Sequence, residues 1–357
     1  MQSNSCPLNL KTLTELDFFV PLKTNINQSL SITSMVTDGI KIYVGSLNGV
    51  IRGWISTSDK HEGEFSYHKD VINSMILLND GTMISTSDDS KLVYWNAKSY
   101  DKIRKFFGPQ KSVTCCAVIY DKELAIKFKN PKGERIVFGG TWEGNVYVWD
   151  ISNANPGRVL IHNNPIKKIV PFQTHYGKCL ASGCHNGEIW IWKLEDFTTA
   201  HKFQAHLENL CHLGVYEGVL ISSGKENSKA PRTNKIKIWD STLNLIHEME
   251  TGREHINKFT MFHNRFLIVV SGIKTVEVWD VKKNKRVIDK CENLGIISEV
   301  SVINSETILV SKSHEVNIIR HTNQKFNMLK LLHKFRTKIG YPPVVVKLIY
   351  EAFIKSD

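Results

Sequence analysis

Short runs in which apolar and polar residues alternate recur along this chain, each ending on a tryptophan. They read Gly-Val-Ile-Arg-Gly-Trp to Trp54, Lys-Leu-Val-Tyr-Trp to Trp95 and Gly-Asn-Val-Tyr-Val-Trp to Trp149. The series continues with Gly-Glu-Ile-Trp-Ile-Trp to Trp192, Lys-Ile-Lys-Ile-Trp to Trp239 and Thr-Val-Glu-Val-Trp to Trp279. Alternation at a period of two is the signature of a strand with one buried face. Ahead of the run lies a second strand of small and apolar residues, as at 84–87, 180–183 and 220–223. Earlier still comes a third, such as 71–77, followed by an Asn-Asp-Gly turn at 79–81. A more polar fourth run, such as 102–107, follows the tryptophan.

The tryptophans are separated by 41, 54, 43, 47 and 40 residues, and a further step of 40 lands on Ile319 in Glu-Val-Asn-Ile-Ile. Four strands repeated at this period predict the blade of a β-propeller. No blade buries both of its faces alone, so the units are expected to stack into one ring. A single ring replaces the two or three domains that 357 residues would otherwise suggest.

The Trp-Asp pairs at Trp149-Asp150, Trp239-Asp240 and Trp279-Asp280 make these repeats similar to those of the WD40 family. The resemblance covers residues of about 31–321. It implies an all-β fold: a seven-bladed WD40 β-propeller, with Trp54, Trp149, Trp192, Trp239 and Trp279 as blade packing. The family's turn aspartate is matched by Asp89, and the resemblance implies a buried hydrogen-bonded tetrad of His68, Ser87, Asp89 and Trp95. Asn48 and Asn186 are weaker stand-ins for the aspartate, which the fifth to seventh repeats lack. The seventh unit has only three strand patterns. Residues 14–22 can supply its outer strand, so 1–30 is expected to be an N-terminal segment that closes the ring.

Beyond the repeats, residues 322–357 form a basic segment with helical apolar spacing, predicting a C-terminal helical tail. Leu332, Phe335, Leu348, Ile349 and Phe353 are its candidate partner-binding residues. Met-Leu-Lys-Leu-Leu at 328–332 followed by Tyr-Pro-Pro at 341–343 is similar to a SOCS box. That resemblance implies recruitment of a ubiquitin-ligase adaptor. Packing on the propeller, docking of another partner and self-association are the alternatives.

Charge adds a second consideration. Lys and Arg number 46 against 35 Asp and Glu, a net charge of +11 that leans toward anionic partners. Basic insertions at 121–135, 224–234 and 282–286 offer a nucleic-acid or anionic-lipid reading, against solvated loops. Seven irregularly spaced cysteines and no signal peptide point to a reducing compartment, so a cytoplasmic location is expected and a nuclear one stays open. The longest apolar stretch, near 266–270, is too short for a membrane helix.

Catalytic signatures are missing. The glycines at 139–144 are followed by Asn-Val where a phosphate loop needs Lys and Ser or Thr. No Gly-x-Ser-x-Gly elbow is present, and Cys179, Cys184 and His185 lack a second ligand pair. No cofactor or metal is therefore expected. The sequence reads as a non-enzymatic interaction scaffold for other proteins. A ubiquitin-ligase substrate receptor and a basic-surface binder are the competing readings.

Overall fold

Each alternating run becomes the third strand of a four-stranded antiparallel sheet. The computed structural model describes residues 19–22, 31–55, 61–127, 135–227, 233–252, 256–262, 266–272, 275–281, 284–291, 297–304, 307–312 and 315–320. The first sheet runs Ile32–Thr37, Lys41–Ser46, Val50–Ile55, His61–Ser66; the second runs Ile72–Leu77, Thr82–Ser87, Leu92–Asn96, Lys102–Phe106. The third to sixth sheets follow the same order and start at Val113, Ile166, Asn209 and Ile256. The seventh takes Ile297–Asn304, Thr307–Lys312 and Glu315–Arg320 from one end of the chain and Phe19–Leu22 from the other. Phe19–Leu22 pairs antiparallel with Glu315–Arg320, Phe19 opposite Ile319 and Leu22 opposite Val316. Residues 14–18 of the expected closing segment, and the whole tail 322–357 with Leu332, Phe335, Leu348, Ile349 and Phe353, lie outside the described residues.

Within this all-β propeller the first strand of each sheet is innermost. Neighbouring first strands pack side by side in chain order, and the seventh returns to the first. Every one of these inner strands is irregular at the same place. The register slips between Ile32 and Ser34, Ile72 and Ser74, Val113 and Cys115, and Ile166 and Lys168. It slips likewise between Leu210 and His212, Ile256 and Lys258, and Ile297 and Glu299. A bulge bends and twists its strand and re-aims the extra side chain. Here Asn73 Nδ2 donates to the carbonyl of Val113 at 3.1 Å, and Thr114 Oγ1 donates to that of Ile166 at 2.6 Å. Each bond joins one sheet to the next.

Close approach between sheets depends on glycine. A Cβ on Gly140 would stand 2.6 Å from Ile166 Cγ2, and one on Gly183 would stand 2.8 Å from Leu210 Cδ1. Each glycine thus leaves room for the first inner residue of the following sheet. The apolar clusters lie between sheets, as where Val146, Val148 and Phe138 meet Ile166, Ile169 and Leu180.

The basic insertions behave differently. Residues 121–135 contain a short helix, Lys122–Lys127, while 128–134 lie outside the described residues. The described residues of 224–234 belong to strands Val219–Asn227 and Thr233–Trp239, pairing Lys225 with Asn234 and Asn227 with Thr233. The ladder thus extends past the usual turn on both strands. In the third insertion, strand Lys285–Cys291 begins after Asn284, which has φ 45°.

Candidate functional site

The turns between second and third strands, and the loops that enter each inner strand, share one face of the array. The backbone shows this directly. Leu47 N donates to Ser31 O, Asp88 N to Val71 O, Trp142 N to Ser112 O, and His185 N to Pro165 O. Four sheets therefore hold one turn position in the same way and place Leu, Asp, Trp and His there. An identical backbone with unlike side chains means that packing does not select the residue. Leu47 is 41% exposed and Trp142 47% exposed, and Leu207 on an entering loop is 72% exposed. Large apolar groups on a rigidly held loop are typical of contact surfaces.

Beneath this face runs a repeated hydrogen-bond relay. In the second sheet Trp95 Nε1 donates to Ser85 Oγ at 2.7 Å, which meets His68 Nε2 at 2.8 Å. His68 Nδ1 reaches both carboxylate oxygens of Asp89 at 3.1 Å. The serine of the relay is thus Ser85, not the expected Ser87. Ser87 instead donates to Asp70 O at 2.9 Å and accepts from Asp89 N, which fixes the turn. Both serines sit on the same face of one strand. Trp95 pairs opposite Met83, so Ser85 is the nearer of the two.

Two further sheets carry the same relay. In the fifth, Trp239 Nε1 donates to Ser222 Oγ at 2.9 Å, His206 Nε2 lies 3.0 Å from that oxygen, and His206 Nδ1 lies 2.8 Å from Glu226 Oε1. Glu226 does the work of the missing aspartate from the extended hairpin. In the fourth, Trp192 and His162 meet at Ser182, at 2.8 and 3.0 Å. There His162 Nδ1 faces the Cys184 thiol at 3.2 Å. Neither asparagine stand-in reaches a histidine. Asn48 and Asn186 accept from the amides of Val50 and Glu188 within their own turns, and the Asn186 side chain also hydrogen-bonds the Glu188 carboxylate.

The third partner sets the electrostatics. Burial alone would raise the Asp89 pKa. The hydrogen bond and charge of His68, the Lys91 ammonium at 3.0 Å and the Lys69 amide outweigh it and hold the carboxylate well below its usual range. Glu226 is buried too, yet His206 and the Lys237 ammonium at 2.9 Å lower it to about 2. His162 has no carboxylate partner in its relay, and burial pushes it down to about 4, against a small opposing effect of Glu188. Burial likewise raises the Cys184 thiol to about 12, so that sulfur is no nucleophile at neutral pH.

The other repeat tryptophans are wired differently. Trp54, Trp149, Trp192, Trp239 and Trp279 are all buried. Trp149 Nε1 donates to Phe107 O at 3.0 Å and Trp279 Nε1 to Glu277 at 3.0 Å. Trp54 Nε1 is buried without a partner among the described residues. The reason is the strand beside them: Val44, Gly139 and Val269 stand where Ser85, Ser182 and Ser222 stand in the relays. Among the described residues no three His, Cys, Asp or Glu side chains converge as metal ligands, and no helix is long and apolar enough to cross a membrane.

Trp142 was not singled out by the sequence pattern, because it stands outside the repeat position. Its one signal is a tryptophan inside a tight Thr-Trp-Glu-Gly turn. It meets the edge of His185 at a centroid distance of 5.8 Å and 79°, and Lys167 Nζ lies 5.2 Å from its ring centre.

A family model described as "WD domain, G-beta repeat" matches residues 59–96, the segment that holds the Asp89 relay. A WD repeat-containing protein of Schizosaccharomyces pombe is 22% identical over 68% of this chain and 62% of its own length. The apoptotic protease-activating factor 1 of Rattus norvegicus is 26% identical over 46% of this chain and 12% of its own length. The chain therefore spans less than two thirds of these relatives. The crystal structure of the computationally designed Ika8 protein superposes with a TM-score of 0.63 at 14% identity, covering 82% of this chain and 97% of that one. That likeness concerns the fold alone. The repeat period, the Trp-Asp pairs, the relay and these matches support a WD40 β-propeller family for the chain.

Proposed function

We propose that this protein is a non-enzymatic scaffold: a seven-bladed ring, closed by its N-terminal strand, that presents the turn face to protein partners. The observation that carries the reading is the shared turn position. Four sheets fix Leu47, Asp88, Trp142 and His185 by equivalent backbone bonds while varying the side chain. WD-repeat relatives support an interaction role of this kind. The basic-surface alternative loses part of its support, because the described residues of 224–234 are ladder and Lys225 faces Glu208. Recruitment of a ubiquitin-ligase adaptor would rest on residues 322–357 and draws nothing from the described ring.

Affinity capture from cell extract, compared between variants, tests the proposal. Trp142→Ala with Leu207→Asp should remove a defined set of captured proteins. Ile161→Asp, on an exposed outer strand, should leave that set unchanged. Equal loss in both variants, or in neither, contradicts the turn face as the contact surface.

A further inference from the structure

The wall of the central opening is not uniform. At the bulge and the residue after it, the first three sheets place Thr33-Ser34, Asn73-Ser74 and Thr114-Cys115. The next three place Lys167-Lys168, Cys211-His212 and Asn257-Lys258, and the seventh places Ser298-Glu299. Lysines thus stand at this position in the fourth and sixth sheets, and the fourth carries two of them.

Several observations fix where those cations act. Lys168 belongs to the fourth inner strand, which packs between the third and the fifth, and from there its charge bears on Cys115 and His212. Lys258 acts on His212 from the other side. His212 packs edge-on against Phe259, 4.6 Å between centroids, and its enclosed Nδ1 has no partner among the described residues. Lys167 spans back across the third sheet's turn to the face of Trp142. Among the described residues neither Lys167 nor Lys168 has a carboxylate within ion-pair range. Lys167 over a half-exposed indole, with Lys168 following it on the same inner strand, is a surface complementary to carboxylates with an apolar neighbour.

Resting on the scaffold reading, we infer that the mouth of the opening between the third and fifth sheets binds an acidic peptide segment of a partner protein. Carboxylates of that segment would face Lys167 and Lys168, and an apolar side chain would lie on the open part of Trp142. A nucleic acid fits less well. Its bases need a free aromatic face, and Lys167 and His185 already lie against this indole. The cations also stand around an opening instead of along a track that would follow a phosphate backbone.

The test is selection of a phage-displayed random dodecapeptide library on the purified full chain near physiological salt. Enriched peptides should be rich in Asp and Glu and carry an apolar residue. A synthetic representative should lose about tenfold or more in affinity with Lys167→Glu/Lys168→Glu and with Trp142→Ala, about what one central contact supplies. Lys167→Gln/Lys168→Gln serves as the milder pair, and circular dichroism checks that each variant folds. Neutral or basic enriched peptides, affinity unchanged in both lysine pairs, or displacement of the peptide by an equimolar single-stranded RNA decamer would overturn this inference alone. No enrichment of any peptide over bare matrix would sink the scaffold reading with it.

Discussion

Glu226 Oε1 lies 2.8 Å from His206 Nδ1, so an extended hairpin supplies to the fifth sheet the carboxylate that a tight turn supplies through Asp89 to the second. The relay is thus defined by its geometry: indole N–H to serine and serine to imidazole, with the imidazole meeting an anion in the second and fifth sheets and a thiol in the fourth. Removing the serine should break two bonds at once. Ser85→Ala is expected to destabilise the protein by about 1–3 kcal/mol, the cost of leaving buried donors unsatisfied. It should also shift the Trp95 indole N–H resonance. Ser87→Ala should leave that resonance in place, and a shift in Ser87→Ala alone would contradict the assignment.

The anions carry a pH signature. Asp89 and Glu226 are held below their usual values of about 3.9 and 4.3. Groups lowered in the fold contribute stability that is full above the ordinary pKa and is lost as pH falls through the folded one. Asp89→Asn should therefore be less stable than the parent at pH 7 by about 1–3 kcal/mol. That gap should close as the pH falls toward about 2. A gap of constant size in urea titrations across this range would refute the pairing.

The fourth sheet also loses stability as the pH falls, but at higher pH and through an imidazole that has no carboxylate in its relay. His162 is pushed down to about 4 by burial, so the unfolded chain takes up more protons between about pH 6.5 and 4. Stability from this site is full above about pH 6.5 and declines as the pH falls to about 4. Cys184→Asp would place a carboxylate beside the imidazole and make that decline shallower. Denaturant midpoints at pH 7 and pH 5 for both proteins check the expectation, and equal slopes would speak against it.

Sheet spacing depends on Gly140. An alanine there would drive its Cβ to 2.6 Å from Ile166 Cγ2 and 2.7 Å from Cys115 Sγ. Gly140→Ala should cost about 1–3 kcal/mol, as overpacking of a filled core does. With Ile166→Ala the total should be smaller than the two single costs together, because the side chains compete for one space. Strict additivity in melting experiments would deny the contact.

Much of this was readable from the residues. The period of the tryptophans and the alternation before them gave the four-strand unit, because a strand with one buried face must alternate. Asp89, His68 and Trp95 emerged as members of one relay through the likeness to WD40 repeats. Ser85 did not, since Ser85 and Ser87 share parity on one strand and only the register separates them. Glu226 escaped because it lies beyond the expected turn, in ladder that looked like an insertion. Trp142 escaped for the opposite reason: an exposed side chain belongs to no burial pattern. The tail at 322–357 lies outside the described residues, and its expectations rest on spacing alone.

The turn face is held in place only if the ring is closed, and closure rests on Phe19–Leu22 pairing with Glu315–Arg320. Hydrogen exchange at residues 316–319 measures this directly, in the full chain and in a chain lacking residues 1–24. The amides that face the outer strand should exchange slowly in the full chain and quickly after the deletion, which leaves an unpaired edge. Equal exchange in the two proteins would contradict closure by the N-terminal strand.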